Sequence, residues 1–183
     1  MALTPSNMLA LGTAAPTFAL PDTRTGATVN SSGFAGKPML VAFICNHCPY
    51  VVHIQAQFVA LANELVARGC AVVAISANDA TGYPQDGPDK MAELASNLNF
   101  EFPYLYDESQ DVAQAYDAAC TPDFYLFDAS HTLVYRGQFD ASRPGNKVSV
   151  TGADLRAAAE AVLSGQAVSA EQVPSVGCNI KWK

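Results

Sequence analysis

The chain has 183 residues, half of them apolar and 15% charged, with 17 acidic against 10 basic side chains for a formal net charge of −7. That length predicts one domain over residues 1–183 with a full core, and the negative balance gives no electrostatic basis for binding nucleic acid. No apolar run approaches the ~20 residues that cross a bilayer, the first twelve residues hold no Lys or Arg to start a signal peptide, and five irregularly spaced cysteines make no secreted disulfide framework; a cytoplasmic, membrane-free protein is expected.

In chain order, Phe18 to Leu20 between Pro16 and Pro21 reads as a short extended segment, Asp22 to Gly26 as a turn, and Gly33 to Pro38 as a loop. Met39-Leu40-Val41-Ala42-Phe43-Ile44 is rich in β-branched and aromatic residues and predicts a buried strand. Next, Val51, Ile54, Phe58, Leu61 and Leu65 recur at steps of three and four, one face of a helix that starts at Pro49 and is closed by Gly69. Ala71 to Ser76 is a second buried strand, Asn78 to Pro88 a polar loop, and Asp89 to Asn97 a helix with Met91, Leu94, Ala95 and Leu98 inward. Pro103 to Tyr106 reads as a short strand, and Ser109 as the cap of a helix carrying Val112 and Tyr116. Phe124 to Phe127 and Thr132 to Phe139 form a hairpin across Asp128-Ala129-Ser130-His131. Thr151 and Asp154 have the spacing of a capping box, and the helix after them buries Leu155, Ala158, Ala159, Val162 and Leu163 before Gly165 ends it.

Chemistry concentrates in Cys45-Asn46-His47-Cys48-Pro49, between the first central strand and the first helix. Proline is favoured at the first helical position, which places Cys48 at or beside the N-cap. Unpaired N–H groups and the helix dipole there stabilise an anion, and the thiolate is the attacking form of cysteine. Redox chemistry is therefore weighed against half of a metal site and against inert buried thiols. A structural zinc would want a second Cys/His pair at close spacing, which the sequence lacks: Cys70, Cys120 and Cys178 are isolated, and His53 and His131 lie far apart. No metal or cofactor is expected.

The remaining candidates are assigned by context. His47, beside Cys48, is expected to tune its thiolate, a solvated loop histidine being the alternative. His53 falls on the polar helix face and reads as exposed and inert, and His131 as a turn residue. Cys70 reads as a packing group, and so does Cys120, contact with the active site beside the proline loop being its alternative. Cys178 lies in a C-terminal tail, where its expected role is anchoring, with Ile180 and Trp182 covering apolar surface. It is expected to be dispensable for the first chemical step.

This order of elements, with C-x-x-C at the first central strand-to-helix junction, resembles the thioredoxin fold. Leu40-Val41-Ala42-Phe43 resembles the strand before the active site of thioredoxin-like proteins, and Thr121-Pro122 before Phe124-Tyr125-Leu126-Phe127 resembles the loop bearing their cis-proline. Ala15-Pro16-Thr17-Phe18-Ala19-Leu20 resembles the start of the peroxiredoxins and the alkyl hydroperoxide reductase/thiol-specific antioxidant group. A peroxiredoxin-like branch shares C-N-H-C-P-Y-V, the Tyr83-Pro84-x-Asp86 loop, Asp140-x-Ser142-Arg143-Pro144 and a C-terminal G-C-x-I-K-W, here Gly177 to Trp182. The implied architecture is α/β: a central mixed β-sheet flanked by helices in a thioredoxin fold, with a peroxiredoxin-like N-terminal extension. The implied activity is thiol–disulfide oxidoreduction, with Cys48 as nucleophile, Cys45 as resolving thiol, His47 and Pro49 tuning the thiolate, and Thr121 and Pro122 positioning substrate. Expected partners are protein or small-molecule disulfides, with peroxides as the alternative, and a thioredoxin- or glutathione-type electron donor. Peroxiredoxin chemistry is less well served. Cys45 stands where that group has a threonine or serine hydroxyl, and the arginine expected before Phe124 is replaced by Cys120-Thr121-Pro122-Asp123. The buried acid of thioredoxin matches Ala42. A metal- or partner-binding module on the same fold is the third reading.

Overall fold

The computed structural model describes residues 3–183. In chain order its elements are β1 (Leu3–Pro5), β2 (Ala19–Pro21), β3 (Thr28–Asn30), β4 (Met39–Phe43), α1 (Pro49–Ala67), β5 (Ala71–Ser76) and α2 (Pro88–Asn97). They continue with β6 (Tyr104–Tyr106), α3 (Asp111–Ala115), β7 (Cys120–Thr121), β8 (Asp123–Phe127), β9 (Leu133–Gly137), α4 (Ala153–Leu163) and β10 (Val176–Asn179). The central sheet has the order β6-β5-β4-β8-β9. β4, β5 and β6 run parallel, while β8 is antiparallel to both β4 and β9. This is the mixed α/β thioredoxin architecture that the order of elements implied.

Apolar material covers both faces of that sheet, so its middle strands read as unbroken hydrophobic runs. Successive β4 side chains point to opposite faces. Leu40 and Ala42 join α1, α2 and α4 residues in one core, while Met39, Val41 and Phe43 join Leu20, Tyr116 and Ile180 in the other. α1 contributes the predicted stripe of Val51, Ile54, Phe58, Leu61 and Leu65, all buried, each worth roughly 1.5–3 kcal/mol over an exposed position. Gly69, at φ +88°, ends the helix as expected.

Several local assignments change. Gln110, in the left-handed region at φ 70°, caps α3, and the Ser109 hydroxyl only accepts the Asp111 N–H at 3.2 Å. The expected capping box at Thr151 and Asp154 does not form. Gly152 at φ +67° is the cap of α4, the Asp140 carboxylate accepts the Thr151 N–H at 2.7 Å and the Gly152 N–H, and Asp154 instead meets Gln138. At α4 a tertiary acceptor, Asp140, displaces the local one. His53 is half-buried, and its Nε2 lies 2.7 Å from Ser142 Oγ, whose hydroxyl donates to the Val148 carbonyl; His53 therefore donates and pins the Asp140–Pro144 loop to α1.

The C-terminal tail is the largest revision. β10 pairs with β1 on one edge and with β7 on the other, as a second, three-stranded sheet beside the main one. Its register sets Cys178 opposite both Leu3 and Thr121. Among the described residues no helix is long and apolar enough to cross a membrane.

Asp123 opens β8 opposite Phe43 and is wholly buried. Its Oδ2 accepts the Tyr125 hydroxyl at 2.9 Å, and burial pushes its carboxyl up to about 7. The unfolded chain loses this proton near the ordinary ~3.9, while the folded chain keeps it until about 7. The unfolded state thus binds fewer protons between those values, and the contribution falls as pH rises through the window. Asp123→Asn removes the titration. Its stability relative to wild type is expected to rise by a few kcal/mol, at ~1.4 kcal/mol per pKa unit, between pH 4 and pH 8. Denaturant unfolding of both proteins at the two pH values measures it.

Candidate active site around Cys48

β4 ends one residue early, and residues 44–48 carry the chain from the sheet's centre to α1, whose N-cap is Cys48 in extended geometry with Pro49 in the first turn. The predicted site residues meet here. Thr121 and Pro122, across a cis peptide bond, lie beside the dithiol. The Cys48 thiol points at the Thr121 carbonyl at 3.2 Å, and Cys45 Sγ lies 3.5 Å from Thr121 Oγ1. Both cysteines are almost fully buried, at 0% and 1% exposure. No disulfide joins any of the five cysteines among the described residues.

The two thiols are unequal. Cys48 is held well below the ordinary thiol range, first by a hydrogen bond from the Cys45 side chain. The Cys178 thiol, the Val51 amide of the first helical turn and the Cys178 amide add to this against the opposing effect of burial. Cys45 moves the other way, raised by donating to Cys48, by burial and by the Asp86 charge. Of the pair, Cys48 is thus the one favoured as thiolate and Cys45 the one favoured as thiol.

Sequence reasoning quoted Asp86 within a motif but gave it no task. Its carboxylate has no exposure. It accepts the Asn46 N–H at 2.8 Å, the His47 N–H at 3.2 Å and the Asn78 side-chain amide at 2.8 Å, and it meets His47 Nδ1. The active loop is thus hung on a carboxylate forty residues further along the chain. The His47 ring stacks on Tyr83 at 5.3 Å between centroids, over which Lys181 Nζ sits at 5.7 Å. His47 faces Asp86 through Nδ1, and the groups that lower Cys48 are the ones named above. The signal available in the sequence was the Tyr83-Pro84-x-Asp86 spacing after a strand.

The tail brings in the other missed residue. Cys178 is buried on β10, and its side chain is a hydrogen-bond partner of Cys48. Cys120, expected to be packing, is buried in β7 two residues before the cis peptide's far end; it is close enough for the Cys48 and Cys178 charges to raise it further, after burial. Cys45 Sγ, His47 Nδ1 and an Asp86 oxygen lie within 4.8 Å of one another, a possible three-ligand set. Asp86 already serves four donors there, so a cation would have to break the His47–Asp86 contact and take the proton from Cys45.

The sequence model of the AhpC/TSA family matches residues 11–136. Among solved structures, an uncharacterized conserved protein from Geobacillus kaustophilus is 50% identical, with a TM-score of 0.97 over 100% of this chain and 97% of that one. A hypothetical protein from Sinorhizobium meliloti 1021 is also 50% identical, with a TM-score of 0.95 over 98% of each chain. Peroxidoxin BcpB from Mycobacterium tuberculosis shares the fold at 21% identity, with a TM-score of 0.61 over 85% of this chain and 96% of that one. No curated protein matches the chain.

Proposed function

Because the chain belongs to the AhpC/TSA family, its chemistry is redox chemistry of thiols, and we propose that it is carried out as thiol–disulfide exchange by the Cys45/Cys48 pair. The observation that carries this reading is the placement of the pair, with Cys48 at the N-cap of α1 and Cys45 three residues before it, both against Thr121. The helix start and the Cys45 side chain favour the thiolate at Cys48, while burial and the Asp86 charge favour the thiol at Cys45. Exchange needs an attacking thiolate, a second thiol within reach and a proton for the leaving sulfur. In this reading Cys48 attacks one sulfur of a disulfide and forms a mixed disulfide with it, and Cys45 then displaces the remaining thiol. Thr121 and Pro122 line the approach to Cys48, and Pro49 pre-sets the helix start that stabilises its thiolate. Asp86 and His47 keep the loop in register. Protein or small-molecule disulfides are the substrates, and a thioredoxin- or glutathione-type donor returns the electrons.

Peroxide reduction is the competing activity within the family. It asks for donors aimed at the cleaving O–O bond. Arg143, the guanidinium of the Asp140–Pro144 loop, is committed to the Asp140 and Ser142 carbonyls and the Gln138 side chain. Single-turnover mixing of the reduced protein with a small aromatic disulfide and, separately, with hydrogen peroxide decides between the two. The expected result is rapid oxidation by the disulfide and peroxide consumption at the rate of an ordinary thiolate. Fast peroxide clearance with the disulfide left intact would reverse the assignment.

A further inference from the structure

The C-terminal strand does more than cover apolar surface. β10 is held on both edges, by β1 and β7, so its backbone is fixed where a loose tail would not be. Gly177 packs so closely on the cis-proline loop that an added Cβ would stand 1.9 Å from the Thr121 carbonyl oxygen and 3.2 Å from Pro122 Cδ. The next residue, Cys178, is register partner to Thr121, the residue whose carbonyl lies 3.2 Å from Cys48 Sγ. Cys45, Cys48 and Cys178 belong to one buried cluster, and Cys48 receives a hydrogen bond from each of the other two side chains. The nucleophilic sulfur therefore has two thiol neighbours, one on its own loop and one on β10.

Resting on the disulfide-exchange reading above, we propose that Cys178 is a second resolving thiol, which closes a Cys48–Cys178 disulfide and fastens β10 to the start of α1. The electrons balance as follows. The Cys48 thiolate attacks a disulfide RSSR, the Cys48–SR bond forms, the substrate S–S bond breaks, and one thiolate RS⁻ departs. The Cys178 sulfur then attacks Cys48, its proton passing to the departing sulfur; the Cys48–Cys178 bond forms, the Cys48–SR bond breaks, and the second R group leaves as RSH. One protein thiolate and one protein thiol lose two electrons between them, and RSSR becomes RS⁻ and RSH. A bond between Cys48 and Cys45 stays within one loop, whereas a bond to Cys178 spans the fold and locks the strand that lies against the site. The two oxidised forms thus differ in whether β10 can move away from Cys48, which has no exposed surface of its own.

The test uses the full chain with one equivalent of 5,5′-dithiobis(2-nitrobenzoate), counting thiolates released per protein and mapping the product by peptide mass. Cys45→Ser is expected to release two equivalents, as wild type does, and to yield a Cys48–Cys178 disulfide. Cys45→Ser combined with Cys178→Ser should release one equivalent and retain the reagent on Cys48. Cys45→Ala and Cys178→Ala, with folding checked by circular dichroism, repeat the measurement where a serine disturbs the core. If Cys45→Ser stops at one equivalent with the reagent on Cys48, the inference fails and the exchange reading stands. If the reagent reacts elsewhere, or Cys48→Ser reacts as wild type does, both fail.

Discussion

Replacing Cys48 by serine is expected to lower exchange with a small aromatic disulfide by on the order of 10³-fold or more, as loss of a nucleophile does. Among the described residues, Cys45 loses its hydrogen bond to Cys48 in this variant but is still raised by burial and by the Asp86 charge. Burial pushes Cys70 up to about 11, and it also raises Cys120 and Cys178, so their thiolate populations at neutral pH are small. The wild-type rate is expected to be flat from pH 6 to 9, because Cys48 lies well below the ordinary thiol range and is already charged there. Cys45→Ala separates the effect of charge from the effect of the nucleophile itself. It deletes the hydrogen bond that contributes most to lowering Cys48, so Cys48 should titrate at higher pH and the rate should acquire a rising limb inside that window. Stopped-flow rates against pH, with thiolate absorbance near 240 nm as a direct titration, check both. A flat profile in Cys45→Ala would mean that the helix terminus and β10 suffice to hold the charge.

Gly177→Ala is expected to cost about 3 kcal/mol or more, at or beyond the top of the usual range for overpacking. The added methyl would meet the Thr121 carbonyl oxygen at 1.9 Å and the carbonyl carbon at 2.7 Å. Backbone atoms in a paired strand cannot swing aside as a side-chain tip can, so β10 must lift from β7 or the cis-proline loop must retreat. Gly33→Ala, where a Cβ has nothing within 4 Å, is the control and should stay within about 0.5 kcal/mol. Denaturant unfolding gives the stability difference. Amide exchange over residues 176–180 and emission of Trp182, the single tryptophan, report whether β10 has detached. Detachment also withdraws Cys178 from Cys48, so the Cys48 thiolate should titrate at higher pH in Gly177→Ala. Unchanged stability would mean that β10 does not pack on Thr121 as described.

The sequence alone determined those features whose cause lies within a few residues. β4 and β5 announce themselves because both sheet faces are covered, which turns their sequences into continuous apolar runs. α1 is legible from its stripe, and the place of Cys48 at its N-cap from Pro49 alone. The hairpin of β8 and β9 follows from a polar five-residue connection over 128–132, whose Asp128 carboxylate accepts the Ser130 and Thr132 N–H groups at 2.9 Å.

Only the tertiary structure decided what depends on partners distant in the chain. The cap of α4 looks local in sequence, yet Asp140 holds Thr151 and Gly152. Three-residue strands such as β1 and β3 carry too few side chains to display a period; pairing, not pattern, makes them strands. Asp86 and Cys178 are the instructive cases at the site. An acidic residue in a polar loop and a cysteine near a terminus have no local signature of function. Folding buries the first under the Cys45–Cys48 loop, and pairs the strand of the second with the residue whose carbonyl faces Cys48. A thiol's reactivity is set by the donors and charges that reach it through space, and at Cys48 the first of these, Cys45, is near in sequence while Cys178 is not.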